Sequence, residues 1–391
     1  MFRYLVQIFL VSLVAKVHSS NGSPISNEIP YDQELLFAIA VNRHGERAPD
    51  AEELSLSPQK ELIANLTYLE GPEGLTNMGK RKAYELGKFY RQRYGPDGLK
   101  LISKLYLRDE IAIRSTDKER TKMTVLVAMA AVYPPEPEQQ WNECLGKIWQ
   151  PIPYVSVPLS QDYLRFYSNC DRYMYLMEKA QQASISQEFQ QFMDLIPLLK
   201  EKTGRNFTEN PLLFQSLFDL FRSTVNLGLD IPEWAKPIVA RLGEAARLAY
   251  MLYFKNDEMK KIGGGVSLDK FIVAADDIIA GNPVSQRFVV HSAHDFNVGA
   301  LMEVTRIKGA QNIPDYGSMF ALELYRSRST GYYSVKPVYL PSAGESSLQE
   351  LRITGCENYA YCDYTKFREL VKGYRLPEEE YHKFCITKSE L

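Results

Sequence analysis

Blocks of like charge are missing from this chain. Its 391 residues carry 46 Lys and Arg against 48 Asp and Glu, for a net charge of −2. With no basic run, nothing points to nucleic acid or an anionic membrane surface as a partner. Long apolar runs are missing as well. Beyond the first twenty residues no stretch reaches the length of a transmembrane helix, so a mature chain without a membrane span is expected. Cysteine is sparse, with five copies at 144, 170, 356, 362 and 385, and the odd count leaves at least one unpaired.

The N-terminal residues differ in kind from the rest. Arg3 gives a positive start, Tyr4 to Val14 form a short apolar run, and Ala15 to Ser20 offer small residues for cleavage. Residues 1–20 therefore read as a signal peptide rather than an anchor, since the run is too short to span a bilayer comfortably. Export agrees with the sequons at Asn65 and Asn206, while a third at Asn21 lies close to the cleavage point. The destination is then outside the cell or a lysosomal or vacuolar lumen, where disulfides persist and Cys356 and Cys362 are near enough to close a small loop. The last four residues, Lys388 to Leu391, faintly echo an ER-retrieval tail, but a frayed terminus is the plainer reading.

Strand, turn and helix recur three times. Leu35 to Val41 is an unbroken apolar run of strand length, which suits a strand buried on both faces. Ile111-Ala112-Ile113 and Phe288-Val289-Val290 are the other two strand candidates. Helices are predicted after Thr76 as far as Gly95, over Glu119 to Val132 before Pro134-Pro135, and after Asp295. This pattern predicts an α/β fold with a largely parallel central sheet flanked by helices. Between the blocks, 160–261 reads as a smaller, mostly helical cap domain inserted into a core made of 30–159 and 262–391. Gly263-Gly264-Gly265 reads as a hinge-like break behind it, and the tail from about 340 reads as loop-rich.

Each predicted strand delivers ionisable residues at its carboxyl end. The first brings Arg43, His44 and Arg47, the second Arg114, the third His294 and Asp295. In open α/β sheets, ligands bind beyond those ends, so six residues far apart in sequence converge on one pocket. Three arginines there call for a tetrahedral oxyanion, because guanidinium matches phosphate oxygens and holds its charge. Phosphoryl transfer needs an in-line nucleophile and a proton donor for the leaving oxygen, and His44 and Asp295 suit those parts. Blander readings apply elsewhere. His291 is expected to be a hydrogen-bonded core histidine, and the pair His291 and His294 lacks an evident third ligand for a metal. Arg114 has a competing structural part, pairing with Asp117 at a helix start. Tyr163, Phe166, Tyr167 and Tyr173 are candidates to line a pocket, with ordinary packing the simpler part for each.

The run Arg43-His44-Gly45-Glu46-Arg47-Ala48-Pro49 resembles the signature of the histidine acid phosphatases, the acid-phosphatase branch of the histidine phosphatase superfamily. His294-Asp295 resembles the family's second motif, and Ile113-Arg114-Ser115-Thr116-Asp117 resembles the segment with its third phosphate-binding arginine. Tyr133-Pro134-Pro135 and Trp149 to Pro153 also look like family segments, so the similarity spans about 34–385. The resemblance implies a phosphomonoesterase in which His44 becomes a phosphohistidine. Asp295 is then the proton donor, and Arg43, Arg47, Arg114 and His294 hold the phosphate. It implies small phosphate-monoester substrates and neither metal nor organic cofactor; a homodimer is compatible with it. It also implies disulfides Cys170–Cys385 and Cys356–Cys362, leaving Cys144 single. Three departures bear on substrate preference: Phe296-Asn297 stands where animal members usually have two threonines, Glu46 and Asp50 add negative charge beside the nucleophile, and the cysteines for a third disulfide seen in some relatives are absent. A phytase-like or lipid-phosphate activity is the alternative within the class. A catalytically weak phosphate-ester binder is the alternative outside it, and intact His44 and Asp295 argue against that.

Overall fold

The structure is a computed structural model that describes residues 32–185, 187–309, 312–344 and 348–386. The signal segment, Asn21 and the C-terminal tail lie outside the described residues. Two compact units are present. One holds a six-stranded sheet and comprises the described parts of Asn27–Glu46, Asn77–Tyr175 and Phe254–Leu391. The other comprises Arg47–Thr76 and Leu176–Tyr253 among the described residues and is helical.

The strands are β1 (Gln33–Arg43), β2 (Ile111–Ser115), β3 (Phe288–Ala293), β4 (Met319–Ser327), β5 (Tyr333–Leu340) and β6 (Cys362–Asp363). Their order in the sheet is β2-β3-β1-β4-β5-β6. The pairings β2–β3 and β3–β1 are parallel; β1–β4, β4–β5 and β5–β6 are antiparallel. The α/β class holds, and the sheet is mixed where a largely parallel one was expected. The difference lies in β4 to β6, whose sequences hide their strand character because charged residues and a proline interrupt them.

Side chains along β1 leave on alternate faces, which divides the core in two. Ala38 and Ala40 pack with Leu86 and Tyr90 of helix Asn77–Tyr94 and with Val125 and Met129 of helix Glu119–Val132. Phe37, Ile39 and Val41 pack with Leu268 and Phe271 of helix Asp257–Ala280 and with Val298 and Leu301 of helix Asp295–Val304. Helices therefore cover both faces. Gly263, Gly264 and Gly265, expected as a break, sit inside the continuous helix Asp257–Ala280. Their role is close packing: a Cβ on Gly264 would overlap the backbone oxygen of Ala300 in the neighbouring helix. Cys170 is bonded to Cys385 and Cys356 to Cys362, both within this unit, and Cys144 is an exposed free thiol. Two disulfides suit an extracellular or lumenal compartment.

The helical unit is organised around phenylalanine. Phe214, on the amphipathic helix Leu213–Asn226, stacks on Phe189 with ring centroids 5.6 Å apart and meets Phe207 at 5.1 Å. No helix of the described residues is long and apolar enough to cross a membrane.

Candidate active site

β2, β3 and β1 run parallel as neighbours, so their carboxyl ends stand side by side. In register Arg43 faces Ala293 and Ser115 faces Ser292. The next residues on β1 and β3 are His44 and His294, whose rings lie 5.5 Å apart, edge to face. His44 is pinned at both backbone groups: its N–H donates to the Ala293 carbonyl at 3.1 Å and its carbonyl accepts from Gly317 at 3.0 Å. Gly45 follows because no side chain fits there; a Cβ would overlap the Gly79 carbonyl.

The hydrogen bonds of His44 fix its tautomer. Nδ1 lies 2.8 Å from the Gly45 carbonyl, which can only accept, so Nδ1 carries the proton. Nε2 lies 3.0 Å from Nε of Arg120, which can only donate, so Nε2 presents its lone pair. The ring is 2% exposed and thus meets only what enters the site.

Arg43 packs its guanidinium 4.1 Å over the ring of Tyr316 and donates to the Pro314 carbonyl at 2.7 Å. It also pairs with Asp295 at 3.1 Å. Asp295 opens helix Asp295–Val304 and accepts from the Phe296 N–H at 2.9 Å. His294 caps that helix, and its Nε2 is 3.0 Å from the Thr116 hydroxyl beyond β2. Burial, then the charges of Arg120, Arg165, Arg43 and Lys118, hold His294 well below its ordinary pKa, so it stays neutral. Asn297 stands where animal members of the family usually have threonine. It has a structural use: Oδ1 accepts from the His294 N–H at 3.2 Å and Nδ2 donates to the Leu164 carbonyl at 2.7 Å.

Arg114 is not brought to His44. Its guanidinium pairs with Asp162 at 2.8 Å and Glu378 at 3.4 Å and lies 4.1 Å over Tyr163. Asp117, the alternative partner, instead pairs with Lys122. Arg120, the second residue of helix Glu119–Val132, belongs to no motif that stands out in the sequence. The available signal was position, since the first turn after a strand end points its N–H groups and side chains at the crevice.

Arg47 belongs to the helical unit. There it binds Glu53 through both guanidinium nitrogens, at 2.7 and 2.6 Å, and Asp50 completes a capping box with Glu53 at helix Ala51–Ser55. Burial, against the pull of Arg47, pushes the Glu53 carboxyl above its usual range. Glu46 is likewise committed, to Lys82 at 2.8 Å.

His291 is a buried histidine within reach of Tyr163 and Ser267, both at 3.5 Å; burial, then Arg114 and Lys270, push it down to about 3. Among the described residues no group of three or more His, Cys, Asp or Glu is arranged to hold a metal ion. Of the four aromatics, Phe166 and Tyr173 pack together in the core at 4.8 Å, Tyr163 carries Arg114, and Tyr167 meets His294 edge-on at 6.1 Å.

A neutral imidazole with its lone pair turned to a guanidinium, among cations and beside one carboxylate, is a site for phosphate chemistry. The chain belongs to the histidine phosphatase superfamily (branch 2), whose profile matches residues 34–339. It is 31% identical to the prostatic acid phosphatase of Bos taurus over 87% of this chain and 85% of that one. It is 29% identical to the venom acid phosphatase Acph-1 of Apis mellifera over 89% and 87% respectively. In fold it resembles the phytase of Klebsiella sp. ASR1, with TM-score 0.62, 18% identity and coverage of 89% of this chain and 96% of that one.

Proposed function

We propose that the protein hydrolyses small phosphate monoesters through a phosphohistidine at His44, with Asp295 as proton donor. That it is a phosphomonoesterase hydrolase follows from its family and its acid phosphatase homologues. The finer mechanism rests on one observation above all, the Nε2 lone pair of His44 held by the Nδ1 bond to Gly45 and facing Arg120.

The ester phosphate displaces the Arg43–Asp295 and Arg120–His44 contacts and takes their donors for itself. Nε2 attacks phosphorus while the ester P–O bond breaks, and Asp295 passes its proton to the departing oxygen. Water then attacks the phosphorus, gives a proton to Asp295, and the P–N bond breaks to restore the neutral ring. Arg43, Arg120 and neutral His294 stabilise the equatorial oxygens. Arg47, three residues beyond the nucleophile, is proposed as a further phosphate ligand once its pairing with Glu53 gives way; the Arg114 pairing with two carboxylates favours Arg120 as the third arginine. A signal peptide at 1–20, export to a lumen or the exterior, and glycans at Asn65 and Asn206 complete the reading.

Rapid quench with labelled substrate tests the nucleophile. The trapped phosphate is expected to be acid-labile and alkali-stable, and absent from His44→Ala; label that survives acid and is lost in alkali rules out histidine. Asp295→Asn tests the acid. It should slow glycerol phosphate on the order of tenfold to a hundredfold more than nitrophenyl phosphate, whose leaving group needs no proton. Equal slowing of both would send the search for the donor elsewhere.

A further inference from the structure

Arg165 is a buried cation beside the site with no part in the mechanism above. It closes the short helical turn Tyr163–Arg165 and is 8% exposed. Its Nη2 donates to the Ser168 hydroxyl at 3.4 Å, its guanidinium lies 5.3 Å from the ring of Tyr167, and its Nε has no hydrogen-bond partner. Among the described residues no carboxylate pairs with it. The contrast is with Arg43, Arg47 and Arg114, each of which holds one. The Asp162 carboxylate feels its charge but is paired with Arg114; a guanidinium withdrawn from water without a paired anion of its own is costly, and a bound anion would remove the cost.

Its surroundings say where that anion would lie. The Tyr167 ring meets His294 at 6.1 Å and Phe296 at 5.0 Å. Phe296 follows Asp295, the group that protonates the leaving oxygen. Tyr167 therefore links Arg165 to the start of the helix that carries Asp295, and the charge of Arg165 reaches His294. The Tyr167 hydroxyl has no hydrogen-bond partner among the described residues. It stays a neutral donor, since burial pushes its pKa up to about 12.

We infer that Arg165, with Tyr167 and Phe296, forms a leaving-group subsite that selects phosphate monoesters whose alcohol carries a second anionic group, a carboxylate or a phosphate. This rests on the phosphomonoesterase reading and adds a substrate class to it. Phe296 and Tyr167 supply an apolar wall for the carbon skeleton, and Arg165 binds the far anion with a forked pair of donors.

The test compares kcat/KM within two matched pairs, 3-phosphoglycerate against glycerol 3-phosphate and propane-1,3-diol bisphosphate against propyl phosphate. The first pair reads a carboxylate, the second a phosphate. Wild type should favour the doubly charged member of at least one pair by about tenfold, the size of one charge-assisted contact. Arg165→Met should bring that ratio close to one, and Arg165→Lys should keep most of it. A wild-type ratio at or below one in both pairs overturns the subsite, whether or not the Met variant folds. So does an Arg165→Met enzyme that slows both members of a pair alike, because Arg165 would then act on the transferred phosphate or on the fold. No turnover of any of the four esters by wild type would instead sink the phosphomonoesterase reading itself.

Discussion

Arg114 and Arg120 lie six positions apart in one strand–turn–helix segment, yet they do different work. Arg114 answers the Asp162 carboxylate, whose side chain is wholly buried and whose pKa is raised by that burial despite the Arg114 charge. Arg120 answers the lone pair of His44. Truncating each should therefore fail in a different measurement. Arg120→Ala is expected to lower kcat/KM for aryl and alkyl phosphates alike by on the order of a hundredfold to a thousandfold, as for the loss of one transition-state donor. Its melting curve should hardly move. Arg114→Ala should cost about 3 kcal/mol in denaturant unfolding by leaving Asp162 buried without its partner, with a smaller effect on turnover. A stable Arg114→Ala enzyme that loses a hundredfold in rate would return Arg114 to the phosphate. The sequence could not separate the two arginines, because the carboxylates that claim Arg114 lie 48 and 264 residues away. The His44 and His294-Asp295 positions were legible because they follow directly from apolar strand runs.

Whole elements were legible where composition was uniform and hidden where a charge is buried. β1 and β3 announce themselves as apolar runs. β4 does not, since Glu323 interrupts it; in the fold that carboxylate is enclosed by Arg93 at 2.6 and 2.7 Å, Tyr94 at 2.9 Å and Tyr325 at 2.7 Å. β5 carries Lys336 and Pro337, and β6 pairs with it only at Ser334 and Val335. Glycine misled in the other direction. A run of three suggests a break by local propensity, and here it serves tertiary contact between helices Asp257–Ala280 and Asp295–Val304. That contact makes a prediction about sign. On propensity alone Gly264→Ala should stabilise the helix by about 1 kcal/mol. The added methyl would instead press on the Ala300 carbonyl and on Val304 Cγ2 at 2.8 Å, and separating two packed helices should cost about 2 kcal/mol net. Thermal melts of Gly264→Ala and Gly281→Ala decide this. The second lies at the helix C-cap with φ of 80° and open space around it, so its cost of about 1 kcal/mol is purely conformational. A Gly264→Ala protein as stable as wild type would mean that the helices are not in close contact there.

At the scale of the molecule, the buried histidines tie folding to pH. His291 is pushed down to about 3 and His294 well below its ordinary 6.5, each first by burial and then by neighbouring cations. Unfolding returns both to the ordinary value. Below pH 6.5 the unfolded chain therefore binds protons that the folded one refuses, and stability falls as pH falls. For His291 that loss begins near 6.5 and continues to about 3, at about 1.4 kcal/mol per pH unit once the unfolded imidazole is protonated. Glu323 adds to the loss at the acid end, because its depressed pKa stabilises the fold only while the carboxylate is ionised. Asp162 opposes it, since burial raises its pKa and protonation on acidification relieves a buried charge. Wild-type stability alone mixes these contributions, so the informative quantity is a difference. His291→Gln removes one imidazole and leaves the carboxylates in place. Urea unfolding of both proteins from pH 7 to pH 4 should show the variant losing stability less steeply, by about 1.4 kcal/mol per unit between pH 6 and 4. The two curves should run parallel above pH 7.5, where His291 is neutral in either state. Parallel curves across the whole range would mean that His291 takes up its proton inside the fold, and its neutrality beside Arg114 would have to be abandoned.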